Sequence, residues 1–314
     1  MPWTDLDFTV IVATRNREAL LREALESLLA QSAPSRYEII VVNNGSTDGT
    51  AEMVKQYQTA NPGRVSLVEE PIAGLSRARN AGLRAAHAPL LAFFDDDALA
   101  APGWLTALGS CFEGPRVAAA GGPIELAWRS QRPAWWEDDL DLELGKLDYG
   151  KETIDLAYPH FPYGMNIAFR RAALVEVGLF RESLGRRGKG LMAAEELELC
   201  LRLWKAGFAV RYHPGAVVRH LVAPERLRKA YLRRQSYWHG VSRRRAETLA
   251  HSRYSVSRRE MPKRLIKRAF SFLSDRRLRN QLDFLSELGY DGEALQRTFF
   301  PLKVSTPPSL EDRS

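Results

Sequence analysis

The sequence is poor in cysteine and has no long apolar run. Its 314 residues include two cysteines, Cys111 and Cys200, in apolar contexts without metal or redox spacing, so we expect two buried free thiols. No stretch approaches the roughly 18 apolar residues that span a bilayer. The N-terminal stretch MPWTDLDFTVIVAT has two aspartates and no basic segment before its first apolar run. We therefore expect no secretory signal and a cytoplasmic protein.

Acidic residues are scarce in one part of the chain. Between Leu221 and Asn280 there are 18 Lys and Arg against 4 Asp and Glu, although the whole chain has a net charge of only +7. Such segregation predicts a basic segment that faces an anionic partner, either a membrane surface or a polyanion.

The first hundred residues or so alternate β-branched runs with amphipathic segments. The strand-like runs are FTVIVAT, YEIIVV, VSLVEE and PLLAFF, and the helical segments between them include REALLREALESLLAQ, AEMVKQYQTA and GLSRARNAGLRAAHA. Because parallel strands need a crossover and helices supply it, this order predicts an α/β fold with a mostly parallel sheet flanked by helices. The pattern loosens from Trp104 to Ala157, where we expect a long excursion over the site. Strand and helix resume from Tyr163 to Phe180, a helix covers Ala193 to Phe208, and a strand pair ends at His220.

Polar residues follow three of the predicted strands. They include Thr14, Arg15, Asn43, Asp95, Asp96 and Asp97. Because ligands bind beyond the carboxyl ends of such strands, we expect these clusters to meet at one edge of the sheet. Ordinary polar strand ends would explain any one cluster, but three adjacent aspartates repel one another unless a positive charge lies among them. Carboxylates of this kind suit Mg²⁺ or Mn²⁺ held together with substrate phosphates.

Several further residues have two interpretations each. Arg79 would contact a phosphate or be a solvated helix residue. Of Glu195 and Glu196, one would face the cleft and accept a proton from an acceptor hydroxyl, or both would be solvated residues favoured by the helix dipole. His220 would be a metal ligand, a base or a packed imidazole.

Six segments, in this order, resemble the inverting glycosyltransferases of family 2, which have the GT-A fold. They are VATRNREALLREALESLLAQ, EIIVVNNGSTDGT, GLSRARNAGLRAA, LLAFFDDDALAAPGWL, GMNIAFRRAALVEVGLF and EELELCLRLWKAGF, and the resemblance covers about residues 7 to 222. Each motif is weak alone, but together they are specific.

The resemblance implies a role for each matching residue. Nucleotide and donor binding falls to Thr14, Arg15, Asn43, Arg79 and Asp96, metal binding to Asp95, Asp97 and His220, the sugar and acceptor side to Gly164 and Asn166, and the catalytic base to Glu196 with Glu195 beside it. The family usually has aspartate at positions 43 and 196. These two departures leave the nucleotide base and the choice between Glu195 and Glu196 open.

Beyond Leu221 the resemblance fades. We expect a catalytic domain over residues 1–222 and a basic helical region over residues 223–314. The segments PERLRKAYLRRQSYWHGVSRRR and RREMPKRLIKRAFSFL interleave basic with apolar residues, as in helices that lie on an anionic bilayer at the inner face of a membrane. A solvated basic tail packed on its own domain is the alternative.

The sequence thus predicts a metal-dependent inverting glycosyltransferase. Its donor would be a UDP, GDP or dTDP sugar, and its acceptor a saccharide or a lipid-linked hydroxyl in polysaccharide or glycolipid synthesis, with no nucleic acid as partner. A sugar nucleotidyltransferase shares the strand order, but no glycine-rich phosphate loop with a following basic residue lies near the N-terminus. A non-catalytic polyanion-binding module is the other alternative.

Overall fold

The computed structural model describes residues 7–31, 36–252, 260–275, 277–299 and 306–310. The expectation of no secretory signal falls partly on residues 1–6, which lie outside the described residues. The second basic segment begins at Arg258 and Arg259, which also lie outside them.

The first part of the chain forms four strands and three helices in strict alternation. These are β1 (Phe8–Thr14), α1 (Glu18–Leu29), β2 (Tyr37–Asn43), α2 (Thr50–Ala60), β3 (Val65–Glu69), α3 (Leu75–Ala85) and β4 (Leu90–Asp95). β1 pairs in parallel with β2 and β4, and β2 pairs in parallel with β3. In this register Thr14 lies opposite Asn43, and Ala13 lies opposite Asp95. The predicted alternation is confirmed, and the three strand ends share one edge.

Both faces of β1, β2 and β4 are buried, which explains their continuous apolar runs. On β1, Val10 and Val12 pack into one core cluster, whereas Ile11 packs into the other. A Cβ on Gly82 would lie 2.4 Å from Ile11 Cγ2, so the glycine lets α3 approach the sheet closely.

The prediction of an irregular excursion between Trp104 and Ala157 is wrong for much of that segment. The segment from residue 98 contains β5 (Ala98–Ala100), α4 (Trp104–Ser110), β6 (Val117–Gly121), β7 (Ile124–Trp128), a 3-10 helix (Asp138–Leu144) and β8 (Ile154–Leu156). β6 has the sequence VAAAG and is buried throughout. Small residues have little β-propensity, and the strand forms because its neighbours cover both faces.

The next elements complete two sheets. They are β9 (Asn166–Arg170), α5 (Arg171–Val177), α6 (Glu195–Lys205), β10 (Ala209–Tyr212) and β11 (Val218–Val222). The large sheet has the order β3-β2-β1-β4-β9-β6-β10-β8, and a small sheet has the order β5-β11-β7. β9 runs antiparallel to β4 and β6, so the large sheet is mixed but mostly parallel. In the small sheet His220 pairs with Ala98, which brings His220 beside Asp97.

The described part of the chain after β11 contains three long helices. They are α7 (Lys229–Leu249), α8 (Met261–Ser274) and α9 (Leu278–Phe299). α7 and α9 cross at two glycines, since a Cβ on Gly240 would lie 1.8 Å from the Ser286 carbonyl oxygen and one on Gly289 would lie 2.1 Å from that of Tyr237. α7 also packs Ala246 and Leu249 against α6. The domain boundary after residue 222 stays a prediction. Among the described helices, none is long and apolar enough to cross a bilayer.

Candidate active site

The polar clusters that follow β1, β2 and β4 lie together at the predicted edge. Thr14 Oγ1 donates a hydrogen bond to Asp96 Oδ2 at 2.7 Å. Arg17 Nη1 lies 2.8 Å from both Asp96 Oδ1 and Asp97 Oδ2. The Thr47 backbone N–H donates to Asn16 Oδ1 at 2.6 Å, which joins the loops after β1 and β2. Burial raises the pKa of Asp96 to about 6, against the opposing charge of Arg17.

Asp97, His220 and Arg226 form a second part of this edge. The His220 ring is fully buried, and its Nδ1 lies 2.7 Å from the Leu144 carbonyl oxygen. Because a carbonyl only accepts hydrogen bonds, we assign the ring proton to Nδ1, which leaves the Nε2 lone pair for Arg226 Nη1 at 2.9 Å. Arg226 Nη2 also donates to Asp97 Oδ2 at 3.2 Å.

Asp97 stays ionised despite its burial. Burial alone would raise the pKa of Asp97, but the charges of Arg226 and Arg17 help to outweigh this effect, and the pKa is lowered. Asp97 Oδ2 lies 3.7 Å from His220 Nε2, so both atoms face the same space.

The donor types at this edge fit a divalent cation. Carboxylate oxygens and an imidazole nitrogen suit Mn²⁺, and an outer hydrogen bond such as that from Nδ1 to Leu144 commonly orients a metal-binding histidine. Within the described ranges, however, no three His, Cys, Asp or Glu side chains converge as a ready-formed metal site. The positive charge that the aspartate run requires is supplied in this structure by Arg17 and Arg226. Neither arginine is predicted as a site residue from the sequence.

Arg79 links the aspartates to the glutamate pair. Its Nη1 donates to Glu195 Oε1 at 2.7 Å, and its Nη2 lies 3.2 Å from Asp95 Oδ1 and 3.1 Å from the Gly164 carbonyl oxygen. The guanidinium also lies 5.7 Å from the ring centres of Phe93 and Phe180. Only 3% of Arg79 is exposed, so the interpretation as a solvated helix residue is wrong. Its phosphate contact stays a prediction.

The two glutamates begin α6 and have different surroundings. Glu195 is buried and paired with Arg79, which contradicts the interpretation of two solvated helix-start residues. Glu196 Oε1 accepts the Gly164 backbone N–H at 3.3 Å, while its Oε2 is buried with no hydrogen-bond partner in the described part of the chain. Burial, followed by the charge of Glu195, raises the pKa of Glu196 to about 8. Ala194, just before the pair, has φ +68°, which is costly for a residue with a Cβ and is typical of functional sites.

The backbone of Gly164 contacts both Arg79 and Glu196, and Asn166 follows it two residues later. A Cβ on Gly164 would lie 2.6 Å from Arg79 Nη2, so this position needs glycine. Asn166 is fully buried, and its amide nitrogen donates to the carbonyl oxygens of Pro123 at 3.0 Å and Ala216 at 2.7 Å. Asn166 Oδ1 accepts a hydrogen bond from Trp104 Nε1 at 2.8 Å. Both amide hydrogens of Asn166 are therefore used within the protein, beneath the site.

A cavity of about 270 Å³ opens over the aspartates. Its polar lining consists of Thr14, Arg15, Arg17, Asn44, Asp95, Asp96, Asp97, Arg186 and Arg226. Four arginines around one cavity suit an anionic ligand such as a diphosphate. Asn43 is bonded instead to Glu69 Oε2 at 2.8 Å and to the Ser46 backbone N–H at 3.0 Å. Its predicted contact with the nucleotide base stays a prediction.

The comparisons with known proteins identify the family. Residues 9–178, just over half of the chain, match the family model of glycosyl transferase family 2. The chain belongs to this family. It is 27% identical over 242 residues to a glucosyl-dolichyl phosphate glucuronosyltransferase of Haloferax volcanii, covering 75% of this chain and 76% of the relative. It is 30% identical over 227 residues to a validoxylamine A glucosyltransferase of Streptomyces hygroscopicus subsp. limoneus, covering 63% of this chain and 48% of that relative.

Solved structures agree on the fold of this family 2 protein. A mannosyltransferase from Pyrobaculum calidifontis, solved with GDP-Man and Mn²⁺, superposes with a TM-score of 0.59 at 21% identity, covering 96% of this chain and 89% of the other. The predicted family, the GT-A fold and the classification as a glycosyltransferase are confirmed. The nucleotidyltransferase and the non-catalytic module are accordingly set aside.

Proposed function

We propose that this family 2 enzyme transfers a sugar from a UDP, GDP or dTDP donor to an acceptor hydroxyl with inversion, in a reaction that requires Mg²⁺ or Mn²⁺. The observation that carries the proposal is the position of Arg79, which contacts Asp95 on one side and Glu195 on the other. A leaving-group site at the aspartates and a base at the glutamates then belong to one continuous site.

The donor's diphosphate binds among the arginines of the cavity. Arg15 and Arg186 lie in its lining beside Thr14, and their fixed positive charge attracts the phosphate oxygens. Asp96, held by Thr14 and Arg17, keeps Arg17 oriented toward the cavity. Asn43 reads the nucleotide base in this proposal, with Glu69 orienting its amide.

Asp97 and His220 would hold the divalent cation, with Asp95 as a further carboxylate. The cation, when bound, neutralises charge on the departing diphosphate. Arg226 contacts both Asp97 Oδ2 and His220 Nε2, and Arg17 also contacts Asp97 Oδ2, so both arginines would have to move for these atoms to become ligands. Arg226 also lines the cavity, where its guanidinium would bind phosphate oxygens. The mannosyltransferase complex with Mn²⁺ supports a cation in this fold but does not distinguish Mn²⁺ from Mg²⁺.

Glu196 is the catalytic base, and Glu195 is its orienting neighbour. Arg79 neutralises Glu195, whereas Glu196 has a pKa raised to about 8, which suits a base that accepts a hydroxyl proton near neutral pH. The acceptor oxygen attacks the anomeric carbon, and the bond from that carbon to the phosphate oxygen breaks. The bonding electrons leave with the nucleoside diphosphate, and the hydroxyl proton passes to Glu196. A single displacement of this kind inverts the anomeric centre.

The acceptor in this proposal is a saccharide or a lipid-linked hydroxyl, and the enzyme works at the cytoplasmic surface of a membrane in polysaccharide or glycolipid synthesis. The name of the Haloferax relative, which includes a dolichyl phosphate, supports a lipid-linked acceptor. The basic composition between Leu221 and Asn280 supports a membrane surface as partner.

A donor panel tests the proposal. The purified full-length protein is incubated with UDP, GDP and dTDP sugars, with Mn²⁺, Mg²⁺ or EDTA, and released nucleotides are separated by chromatography. We expect one donor to yield a nucleoside diphosphate in the presence of metal and little product with EDTA. Metal-independent transfer or release of pyrophosphate would contradict the proposal.

A further inference from the structure

Helix α8 carries an apolar stripe that the described residues leave uncovered. Ile266, Phe270 and Leu273 are 68%, 72% and 68% exposed. Their spacing of four and three residues places them on one face of the helix. Three large apolar side chains in one exposed row are unusual on a protein that faces only water.

The opposite face of α8 is fixed against α9. Arg264 Nη2 donates to Glu287 Oε1 at 2.6 Å, and Arg268 Nη1 donates to Asp283 Oδ2 at 2.9 Å. The Phe272 ring stacks on a ring of α9, that of Phe284, with centroids 5.9 Å apart. These contacts set the rotation of α8 about its axis, so the apolar stripe points away from α9.

The charges of α8 are divided between the two faces. The helix has four basic residues and no acidic one. Arg264 and Arg268 are neutralised by α9, whereas Lys263 and Lys267 are exposed and form no ion pair with any described residue. At 100° per residue, both lysines lie along the Phe270 side of the stripe. The outer face of α8 is therefore both apolar and cationic.

We propose that this face, formed by Lys263, Ile266, Lys267, Phe270 and Leu273, docks on an anionic lipid bilayer. The three apolar side chains enter the boundary between headgroups and acyl chains, and the two lysines bind the headgroups. A second copy of the chain is a poorer occupant, because a two-fold contact would bring these unpaired lysines together. This docking deepens the membrane part of the proposed function. It also rests on that function, because the purpose of docking is access to a lipid-linked acceptor.

Vesicle cosedimentation of the full chain tests the docking without donor or acceptor. Vesicles of phosphatidylcholine alone are compared with vesicles that contain roughly 30% phosphatidylglycerol. We expect binding to the anionic vesicles, and a loss of roughly tenfold or more in partition coefficient for Lys263→Glu/Lys267→Glu and for Ile266→Asp/Phe270→Asp. All four side chains are exposed, so melting temperatures should stay close to that of the wild type.

Matched controls separate the α8 face from general charge and hydrophobicity. Lys55→Glu/Lys205→Glu makes the same change in net charge on exposed positions of α2 and α6, and Val175→Asp changes a 64% exposed apolar residue of α5. We expect all three of these positions to leave vesicle binding unchanged.

Three outcomes would overturn the proposal. They are no binding to anionic vesicles, equal losses in α8 variants and controls, and a dimer in solution that Ile266→Asp/Phe270→Asp dissociates while vesicle binding persists. Nucleoside diphosphate release with a water-soluble acceptor is measured on the same proteins. Transfer without vesicle binding would reject only the docking surface, and vesicle binding without transfer to either a water-soluble or a lipid-linked acceptor would reject only the proposed function.

Discussion

At the scale of single residues, the two adjacent glutamates have different surroundings. Glu195 shares its charge with Arg79, while Glu196 has one hydrogen bond to a backbone N–H and a pKa near 8. The glutamate pair is recognisable in the sequence, but its division of roles is not, because Arg79 lies 116 residues from Glu195 along the chain.

Replacing Glu196 with Gln should remove the base and keep the shape of the site. We expect kcat to fall by roughly 10²- to 10⁴-fold, with donor affinity by calorimetry nearly unchanged. In the wild type, kcat/KM should rise as pH increases through about 8, because Glu196 accepts a proton only when ionised. A wild-type rate that is flat across this pH range, or a fully active Gln variant, would assign the base elsewhere.

The same raised pKa makes stability depend on pH. Between pH 4.5 and about 8, Glu196 is mostly protonated in the folded protein but mostly ionised in the unfolded chain, where its pKa is the ordinary 4.5. The free energy of unfolding should therefore decrease as pH rises from about 4.5 toward 8, and Glu196→Gln should remove part of this slope. Urea titrations at several pH values measure the difference between the two proteins, and parallel pH profiles would contradict it.

In the proposed function, Arg226 would compete with the cation for two atoms. Arg226→Ala frees His220 Nε2 and removes one of the two arginines at Asp97 Oδ2, so Mn²⁺ affinity in the donor-free protein should increase by roughly tenfold. Isothermal titration or the Mn²⁺ electron paramagnetic resonance signal measures this directly. The exposed Arg228 provides the control, since Arg228→Ala should leave the affinity unchanged. Weaker Mn²⁺ binding in Arg226→Ala would mean that the arginine organises these ligands instead.

At the scale of elements, the strands that could be predicted are those with large apolar residues on both faces. β1 to β4 are rich in Val, Ile, Leu and Phe, and their sequence bounds agree with the structure. β6 was missed because VAAAG carries no such pattern and depends on its neighbours for burial. The prediction of the site missed Arg17 for a similar reason, because Arg17 contacts Asp96 and Asp97 across 79 and 80 residues of sequence.

The crossing of α7 and α9 depends on glycine. Gly240→Ala would force a Cβ to within 1.8 Å of the Ser286 carbonyl oxygen, so the helices must separate. We expect a loss of about 1–3 kcal/mol in the free energy of unfolding, measured by urea denaturation. Gly292→Ala on α9 is the matched control, because its Cβ meets only the Tyr237 hydroxyl at 4.0 Å, and higher helix propensity should make it neutral or stabilising. Equal effects of the two substitutions would refute the close crossing.

At the scale of the whole molecule, sequence charge overstates the cationic surface. The basic stretch pairs much of its charge internally, for example Arg245 with Glu293 and Arg279 with Glu143. Glu143 and Glu293 both lie outside the stretch from Leu221 to Asn280, so the composition of the stretch alone could not reveal the pairing. The outer face of α8 is one place where basic side chains, those of Lys263 and Lys267, remain exposed.

Arg79 joins the α6 glutamates to the edge of the large sheet, and the small sheet brings His220 beside the same edge. The register of β1 with β4 and of β11 with β5 brings residues from distant parts of the chain to the same edge. The order of the motifs predicted this edge, but the arginine contacts within it depend on three-dimensional proximity.

The anomeric configuration of the first product tests the central claim most directly. Proton NMR during the early reaction, with the donor selected from the panel and a divalent cation present, distinguishes the two anomers before they equilibrate. A single displacement assisted by Glu196 predicts a product of opposite anomeric configuration to the donor, together with one equivalent of nucleoside diphosphate. A product that keeps the donor's configuration would contradict the account.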